Sequence, residues 1–371
     1  MATYKNLNTT EGMDKITDVT KVTAGYFSDG AGKKVATELF SGSLSDSNRK
    51  YYHNVSITSE TGPTQLSVAY GHAAGSGSKT DAGAIKGTSQ AVYEQWANTL
   101  LPPNEVTGGF IISSNNGLSS APSTAVKTGR DDNIFVLAGK RSLFKDRMNK
   151  KNWTLMLAGH ASNGSTYQYL TLTDDSNTSA GVGTPAGKRY NIVSGSQGSV
   201  DNAKDHRTFG WFYPEMGIML FSGAELSASI PGHSGSHADA VTYNTASKMG
   251  FGTNNATNTD QRDSLRFVNC LTTGSGAFTP YLQLRSEEDT TSVSYFCRAR
   301  AGEFNFSNNP TFVSGSVNKI RIQDMHGNPV TFISGVNLFS ADGVMVAQGK
   351  LSTPLKKNFS SEATIKVKLT Y

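Results

Sequence analysis

The alternation of apolar and polar residues along this chain is typical of short β-strands. Tyr51–Thr58 and Gln65–Tyr70 alternate on either side of a turn at residues 60–63, and this pattern predicts a hairpin. The same reasoning predicts further strands at Ile134–Ala138, Trp153–Gly159, Tyr167–Thr173, Tyr190–Val193, Leu265–Leu271, Tyr281–Arg285 and Val293–Ala299.

The most apolar run of the chain is Phe209–Phe221, and it is interrupted by Pro214 and Gly217. Proline cannot donate to a strand ladder, and a glycine inside a strand often marks a bend or a bulge. We therefore predict two strands, or one bulged strand, and not a helix.

Helical spacing of apolar residues is clearest at residues 89–101, where Val92, Trp96 and Leu100 recur and two prolines follow. We interpret these three side chains as core packing. A second short helix is predicted from Gly223 to Ile230. Together the patterns predict a mainly β fold, with sandwich-like or jelly-roll-like units, one or two short helices, and α+β at most.

The end of the chain carries the most regular pattern. Val336 and Leu338 are expected to share a face with Val344 and Val346 across an Asp-Gly turn at residues 342–343. In the last strand, Ile365, Val367 and Leu369 alternate with polar residues. A strand at a terminus needs a sheet to hold it, either its own or that of a neighbour.

Three regions are expected from these elements. Residues 1–45 are predicted to be an N-terminal extended arm with a first strand. Residues 46–275 form a central β-rich domain with the helix near 89–101, and residues 276–371 form a C-terminal β domain. No internal repeat is visible, which argues against a solenoid or a propeller.

Composition narrows the classes of function. The chain has 38 glycines but only 17% charged residues, which suits turns and short strands better than a helical enzyme. Its net charge of +5 is mild for a nucleic-acid binder. The one dense basic stretch runs from Lys140 to Lys151 and includes Arg141, Lys145 and Arg147, and we interpret it as a solvated or subunit-facing surface.

Neither a signal peptide nor a membrane span is indicated, because no stretch approaches the roughly 20 apolar residues that a span needs. We therefore expect a protein made soluble in a cytoplasm, without a membrane partner. Cys270 and Cys297 are too few for a disulfide framework, and we expect two buried thiols.

Two glycine-rich motifs resemble catalytic loops but depart from them at decisive positions. Gly75–Thr80 has Ser78 where a phosphate-binding loop needs a glycine before the lysine. In residues 232–236 the second glycine comes one position too early for a nucleophile elbow.

Metal and carboxylate chemistry is not indicated either. His233, His237 and Asp239 lie in a Ser/Gly-rich loop that gives them no common face. Glu287-Glu288-Asp289 are expected in a turn, where consecutive residues cannot flank a glycosidic bond. We predict no catalytic residue, no cofactor and no metal, and the chain is expected not to be an enzyme.

Several segments resemble virion structural proteins of contractile-tailed bacteriophages, including T4-like phages of cyanobacteria. The matching residues are Phe304–Pro310, Val336–Gly343 and Lys350–Lys357 in the C-terminal region, and Gln90–Leu101 and Ile134–Trp153 in the middle. The resemblance touches about half of the chain. It implies a structural component of the virion without catalytic residues, first of all at the tail or baseplate periphery.

The resemblance leaves the position within the particle open. Head–tail connector, collar and capsid-surface positions remain alternatives, as does a receptor-binding fibre-type protein with exposed tyrosines such as Tyr167, Tyr169 or Tyr190. A polysaccharide depolymerase or a peptidase is the third class considered.

Partners are expected among other virion proteins and copies of the chain itself, with a host surface as a further candidate and nucleic acid disfavoured. The candidate contact residues are Phe304, Phe306, Asn308, Asn309, Pro310, Lys140, Arg141, Lys145 and Arg147. For Phe304, Phe306 and Phe312 we favour an anchoring role inside the C-terminal region over direct contact with a partner.

Overall fold

The computed structural model describes residues 4–41, 51–75, 88–112, 129–160, 166–201, 207–232, 250–251, 263–274, 278–315 and 319–371. Within these ranges the fold is mainly β, as predicted, with three α-helices: α1 (Thr88–Leu100), α2 (Gly223–Ser229) and α3 (Asp263–Thr272). The strands are β1 (Lys15–Gly25), β2 (Lys33–Val35), β3 (Leu39–Ser41), β4 (Tyr52–Ile57), β5 (Thr64–His72), β6 (Asn133–Gly139), β7 (Arg147–Met148), β8 (Thr154–His160), β9 (Tyr167–Asp174), β10 (Val182–Thr184), β11 (Gly187–Ser196), β12 (Ser199–Val200), β13 (Thr208–Tyr213), β14 (Ile218–Ser222), β15 (Tyr281–Gln283), β16 (Arg285–Ala299), β17 (Val313–Ser314), β18 (Lys319–Ile320), β19 (Thr331–Phe339), β20 (Met345–Lys357) and β21 (Ala363–Thr370).

The chain divides into two compact units. The central unit is Val22–Glu288, and the terminal unit combines Met1–Lys21 with Asp289–Tyr371. This division differs from the expected boundary at residues 275 and 276. The reason is β15, which pairs with β8 inside the large sheet. This pairing keeps the residues between 276 and Glu288 in the central unit.

The central unit is built on one large antiparallel sheet. Its strands follow the order β2-β15-β8-β9-β11-β13-β14-β6-β5-β4-β3, and β10 and β12 pair with β11. The predicted hairpin at residues 51–70 is confirmed, since β4 and β5 pair with Val55 opposite Leu66. Neighbours in the sequence are mostly neighbours in the sheet, as short hairpin connections favour.

The apolar run Phe209–Phe221 forms the strands β13 and β14, which confirms the predicted interruption at Pro214 and Gly217. In this hairpin Trp211 lies opposite Leu220, and Phe212 lies opposite Met219. The first pair belongs to the apolar cluster on one face of the sheet and the second to the cluster on the other face. Because both faces are covered, the run is continuously apolar and does not alternate.

Helix α1 packs on one face of the sheet, and its position confirms the predicted helix. The side chains that it buries include Tyr93, Ala97 and Leu100, whereas Val92 and Trp96 are half-buried. The predicted core packing is therefore confirmed for Leu100, which is fully buried, and for Trp96, which packs against the apolar cluster on this face while partly exposed. Val92 is only half-buried. Tyr93, in the middle of the helix, reaches into the unit with its hydroxyl group.

Two features anchor α1 on the sheet. Gly71 of β5 lets the helix approach closely, because a Cβ at this position would lie 2.9 Å from the main-chain nitrogen of Tyr93. The Tyr93 hydroxyl donates to the carbonyl of Asp131 at 2.9 Å and accepts from the main-chain N–H of Phe110 at 3.0 Å. Burial raises the pKa of Tyr93 to about 12, so this hydroxyl stays protonated.

Helix α3 corrects the strand predicted at Leu265–Leu271. The segment buries apolar side chains almost all round, and such a short run does not distinguish helix from strand by its pattern alone. Its packing decides the conformation, because the Phe267 ring lies 5.1 Å from that of Phe221 and 5.9 Å from that of Phe135 on the sheet. The second predicted helix is confirmed as α2, which Ser222 caps by accepting from Glu225 N–H.

Candidate assembly interface

The terminal unit buries very little apolar surface. Among its described residues, the buried apolar side chains are Val293, Ala299, Val313 and Ala363. Its exposed large apolar side chains are far more numerous: Tyr4, Met13, Ile16, Val19, Phe304, Phe306, Ile322, Phe332, Phe339, Val344, Met345, Val346, Leu355, Phe359 and Tyr371. Large contiguous patches of exposed apolar residues mark interaction surfaces, and the number of these side chains makes the terminal unit the candidate for such a surface.

A buried lysine organises the interior of this unit in place of large apolar groups. The Lys357 ammonium donates to the carbonyls of Ala301 and Asn358 and to Oδ1 of Asn305, at 3.0, 2.8 and 2.8 Å. Asn305 and Lys357 both belong to the segments that carry the resemblance. Two residues from separate matching segments therefore form a hydrogen bond in the interior of the terminal unit.

The aromatic residues near Asn305 point outward. Phe306 is 54% exposed and packs edge-on against Phe312 at 5.7 Å, and Phe304 is exposed as well. The favoured anchoring role was wrong for Phe304 and Phe306, because Asn305 and Lys357 occupy the interior at this place. Phe304 also has a φ of 56°, a left-handed conformation that is rare for a large side chain.

Asn308, Asn309 and Pro310 are exposed in the turn that leads to β17. The side chain of Asn309 accepts a hydrogen bond from Thr311 N–H at 3.1 Å, and its carbonyl accepts from Phe312 N–H at 2.8 Å. Asn309 thus shapes the turn, as asparagine commonly does. A contact role of these residues with a partner remains a prediction.

The strands β19 and β20 form a two-stranded ribbon, which is called the ribbon below. Val336 lies opposite Gly349 and Leu338 opposite Ala347, and Phe339 then pairs with Met345 after an irregularity in the register. The predicted pairing of Val336 and Leu338 with Val344 and Val346 was wrong, because Val346 is the extra residue at this bulge.

The tip of the ribbon carries three consecutive exposed apolar side chains. Val344, Met345 and Val346 are 64%, 51% and 61% exposed. The ring of Phe339 touches that of Tyr4 edge-on at 5.4 Å. Sequence reasoning missed this surface, although a strand with apolar residues on both faces is the signal that indicates it.

The last strand follows its predicted alternation. β21 pairs with β16, and Ile365, Val367 and Leu369 are half-buried while Lys366 and Lys368 are exposed. The terminal unit's own sheet holds this strand in place.

The N-terminal segment contacts the same unit through Lys5, which donates to Glu303 and to the carbonyl of Arg298. The hydrogen bond from Lys5 is the main reason why the pKa of Glu303 lies below its ordinary value. Asp14 forms a further ion pair with Arg298, at 3.6 Å.

The basic stretch of the central unit does not form a row of like charges. Arg147 pairs with the buried Glu287 at 2.7 Å, and Lys145 pairs with Glu288 at 2.5 Å. Arg141 lies over the ring of Phe144 and donates to the carbonyl of Asp146. The side chain of Lys140 is exposed. These contacts lie within the central unit, where they hold the stretch in place. That the stretch also contacts a partner subunit remains a prediction.

The three acidic residues 287–289 lie in the strand β16 and not in the expected turn. Alternation along the strand directs Glu288 to the face opposite that of Glu287 and Asp289. Glu287 is buried, whereas Asp289 is exposed. No group of three or more His, Cys, Asp or Glu side chains suited to a metal ion occurs in the ranges that the structure covers. The motif residues Ser78, His233, His237 and Asp239 lie outside the described residues.

Both cysteines are free thiols. Cys270 is fully buried on α3, and burial raises the pKa of its thiol far above the ordinary value. Cys297 of β16 is half-buried, and burial raises its pKa as well. The expectation of two buried thiols is therefore confirmed for Cys270 and only in part for Cys297.

Three aromatic rings and a histidine form a small cluster at one end of β8 and β9. The Tyr167 ring stacks on that of Phe278 at 5.9 Å, Tyr169 lies 5.7 Å from the same phenylalanine, and His160 contacts Tyr167. Tyr169 is 49% exposed, whereas Tyr190 is buried and accepts a hydrogen bond from Lys150. Of the three tyrosines considered for recognition, Tyr190 is thus excluded by its burial.

No helix in the described parts of the chain is long and apolar enough to cross a membrane. Comparison with protein-family models, with curated proteins and with solved structures gave no match. The fold and the exposed apolar surface therefore define the chain only as a mainly β protein with a candidate assembly interface.

Proposed function

We propose that this chain is a non-enzymatic structural subunit of a tailed-phage virion that acts by binding other subunits. One observation carries the proposal: the described terminal unit buries four apolar side chains and exposes many large ones. Ordering a polypeptide costs about 1 to 2 kcal/mol per residue in backbone entropy, which buried apolar surface must offset. A partner subunit that covers the exposed side chains supplies the missing burial.

The resemblance to contractile-tail phage proteins supports a position at the tail or baseplate periphery. Its C-terminal motif has two parts in this fold. Asn305 and Lys357 build the interior of the terminal unit, whereas Phe306 is exposed, and the exposed tip of the ribbon lies between two of the matching segments. Such a division suits a scaffold that presents a contact surface to its neighbours.

The proposal is tested on purified phage particles. Quantitative mass spectrometry is expected to find the chain at a fixed copy number per particle, and immunogold labelling is expected to mark the tail or baseplate. Labelling at the neck or on the capsid would support the collar or capsid-surface alternatives instead. Absence of the chain from particles that are purified to constant composition would refute the structural role.

A variant series connects this role to the terminal unit. Phe306→Ser and Phe332→Ser each remove an exposed apolar side chain, and both are expected to lower incorporation into particles several-fold. Tyr52→Ser removes an exposed aromatic ring of the central unit and serves as the matched control. Equal incorporation of all three variants would contradict an assembly role of the terminal unit.

A second candidate function is recognition of a host surface through the cluster of Tyr167, Tyr169 and Phe278. Its half-exposed rings combine an apolar face with a polar rim, as recognition surfaces often do. The test is binding of the purified chain to host cells. Tyr169→Ala is expected to weaken binding if this surface is used, and Tyr52→Ala provides the control.

A further inference from the structure

The ribbon presents a physical problem, because a two-stranded sheet alone is marginally stable in water. In the part of the chain that the structure describes, β19 pairs with β20, and neither strand has a second neighbour. The side chains of β20 are exposed along most of its 13 residues. Its outer edge therefore offers unpaired main-chain groups, which are a template for another strand.

The charges along this edge indicate which strand fits. Asp342 stands at the turn before β20 and Lys350 lies within the strand, and the seven residues between them are uncharged. When two copies of the same strand pair antiparallel, the residue numbers of every opposed pair add up to the same total, so one opposed pair fixes all the others. When Asp342 opposes Lys350 of a second copy, Val346 opposes the Val346 of that copy and Met345 opposes its Ala347.

We infer that the ribbon pairs along its β20 edge with β20 of a second copy, antiparallel and with the two-fold axis at Val346. The inference rests on the proposed assembly function and names one partner, which is the chain itself. The pairing forms two Asp342–Lys350 ion pairs and covers Val346. It also joins two marginal ribbons into a four-stranded sheet.

Other arrangements of two such strands are less favourable. A parallel pair in register would place Asp342 against Asp342 and Lys350 against Lys350, and like charges that face each other across strands are destabilising. An antiparallel register shifted by one residue would place Ala341 or Gly343 against Lys350 and would lose both ion pairs. The charge pattern thus selects one register.

Exchange of the two charges tests the ion pairs. Asp342→Lys and Lys350→Asp are each expected to weaken self-association of the full chain about tenfold, because each change affects two symmetric pairs. The double variant restores the association, since it rebuilds both pairs with their charges reversed. Lys368→Asp alters an exposed strand lysine outside the ribbon and is expected to leave the association unchanged. Sedimentation equilibrium at low and moderate salt measures all four proteins.

Cysteine cross-linking tests the register. In a Cys297→Ser background, Val346→Cys places two thiols at the axis, where opposed Cβ atoms lie about 4.5 to 5.5 Å apart. Mild oxidation is expected to give a covalent dimer on a non-reducing gel. Val344→Cys is the control of similar exposure, because its copies lie about 13 Å apart in this register.

Two results would overturn the inference: a wild-type chain that stays monomeric at high concentration, or cross-linking of Val344→Cys as fast as that of Val346→Cys. These outcomes are independent of the proposed function. A chain that is present in particles but does not dimerise leaves the structural role standing. A chain that dimerises but is absent from particles supports the pairing and refutes the role.

Discussion

The ammonium of Lys357 donates a hydrogen bond of 2.8 Å to Oδ1 of Asn305 in the interior of the terminal unit, where the lysine side chain is fully buried. Nδ2 of Asn305 donates in turn to the carbonyl of Ala301, which also accepts from Lys357. The three groups close a small polar network. Buried polar networks fix a unique arrangement when all their members are satisfied, and this one holds the end of β20 to the segment after β16.

The first prediction concerns this network. Lys357→Met keeps the apolar stem but removes the ammonium that donates to Oδ1 of Asn305 and to two main-chain carbonyls. The Ala301 carbonyl keeps its bond from Asn305 Nδ2 and the Asn358 carbonyl keeps its bonds from Ser361, so Oδ1 of Asn305 is the acceptor most affected. We expect the terminal unit to lose about 1 to 3 kcal/mol of opening free energy, because an unsatisfied buried polar group costs about that much. Hydrogen exchange of amides in residues 289–371 measures this loss. Lys356→Met changes the exposed neighbour as a control, and equal exchange in both variants would speak against a stabilising network.

The second prediction concerns the turn of the ribbon. Gly343 has a φ of +81°, and a Cβ at this position would meet no atom within 4 Å, so only the backbone conformation opposes a side chain. Gly343→Ala is expected to destabilise the ribbon by about 1 kcal/mol, and Gly343→Asn by less, since asparagine tolerates this conformation better. Gly302→Ala is the control with equally open space and a φ outside the left-handed region. Hydrogen exchange of ribbon amides gives the comparison, and equal effects at both glycines would refute the argument.

The third prediction concerns the attachment of α1. Tyr93→Phe removes the hydroxyl that accepts from Phe110 N–H and donates to the Asp131 carbonyl. The buried N–H then lacks this acceptor, and we expect the free energy of unfolding of the central unit to fall by about 1 to 3 kcal/mol. Urea unfolding followed by tryptophan fluorescence measures the change. Tyr52→Phe alters a tyrosine that is half exposed and should change stability by less than about 0.5 kcal/mol.

The sequence predicts the fold well where local pattern and packing agree. The hairpin of β4 and β5, the interruption at Pro214 and the start of α2 all follow from turn residues and alternation. The prediction of secondary structure fails where contacts with residues distant in the sequence determine the conformation. In Leu265–Leu271 a helical spacing of Leu265, Val268 and Leu271 competes with a strand-like spacing, and the helix packs on Phe135 and Phe221 of the sheet.

The candidate interface was predictable only in part, for a related reason. Phe306 was among the contact candidates and is exposed, but the ribbon tip was not among them. The irregularity in the register between Leu338 and Phe339 leaves Val346 outside the residue pairs that strict alternation predicts. Likewise, the sequence does not show that Asn305 and Lys357, 52 residues apart, share one interior site.

The last prediction concerns two consecutive buried carboxylates of the central unit. Asp174 accepts from Lys151 N–H at 2.9 Å and from the hydroxyl of Ser176, and Asp175 accepts from the main chain and the side chain of Asn191. Burial is the main cause that raises the pKa of both carboxyl groups, and the charge of Asp174 adds to the effect on Asp175. The folded protein therefore binds protons at these groups more readily than the unfolded chain does.

The sign of the pH dependence follows from this difference. Between the ordinary carboxyl pKa near 4 and the raised values, the folded state holds protons that the unfolded state has released, so stability falls as the pH rises through this window. Asp174→Asn removes one of the groups while its amide can still accept from Lys151 and donate to Ser176. We expect the stability of the wild type relative to this variant to decrease from pH 4 towards pH 7, as measured by urea unfolding at each pH. Asp342→Asn serves as the exposed control. A difference between wild type and Asp174→Asn that rises with pH would mean that the hydrogen bonds to the ionised carboxylate outweigh its burial.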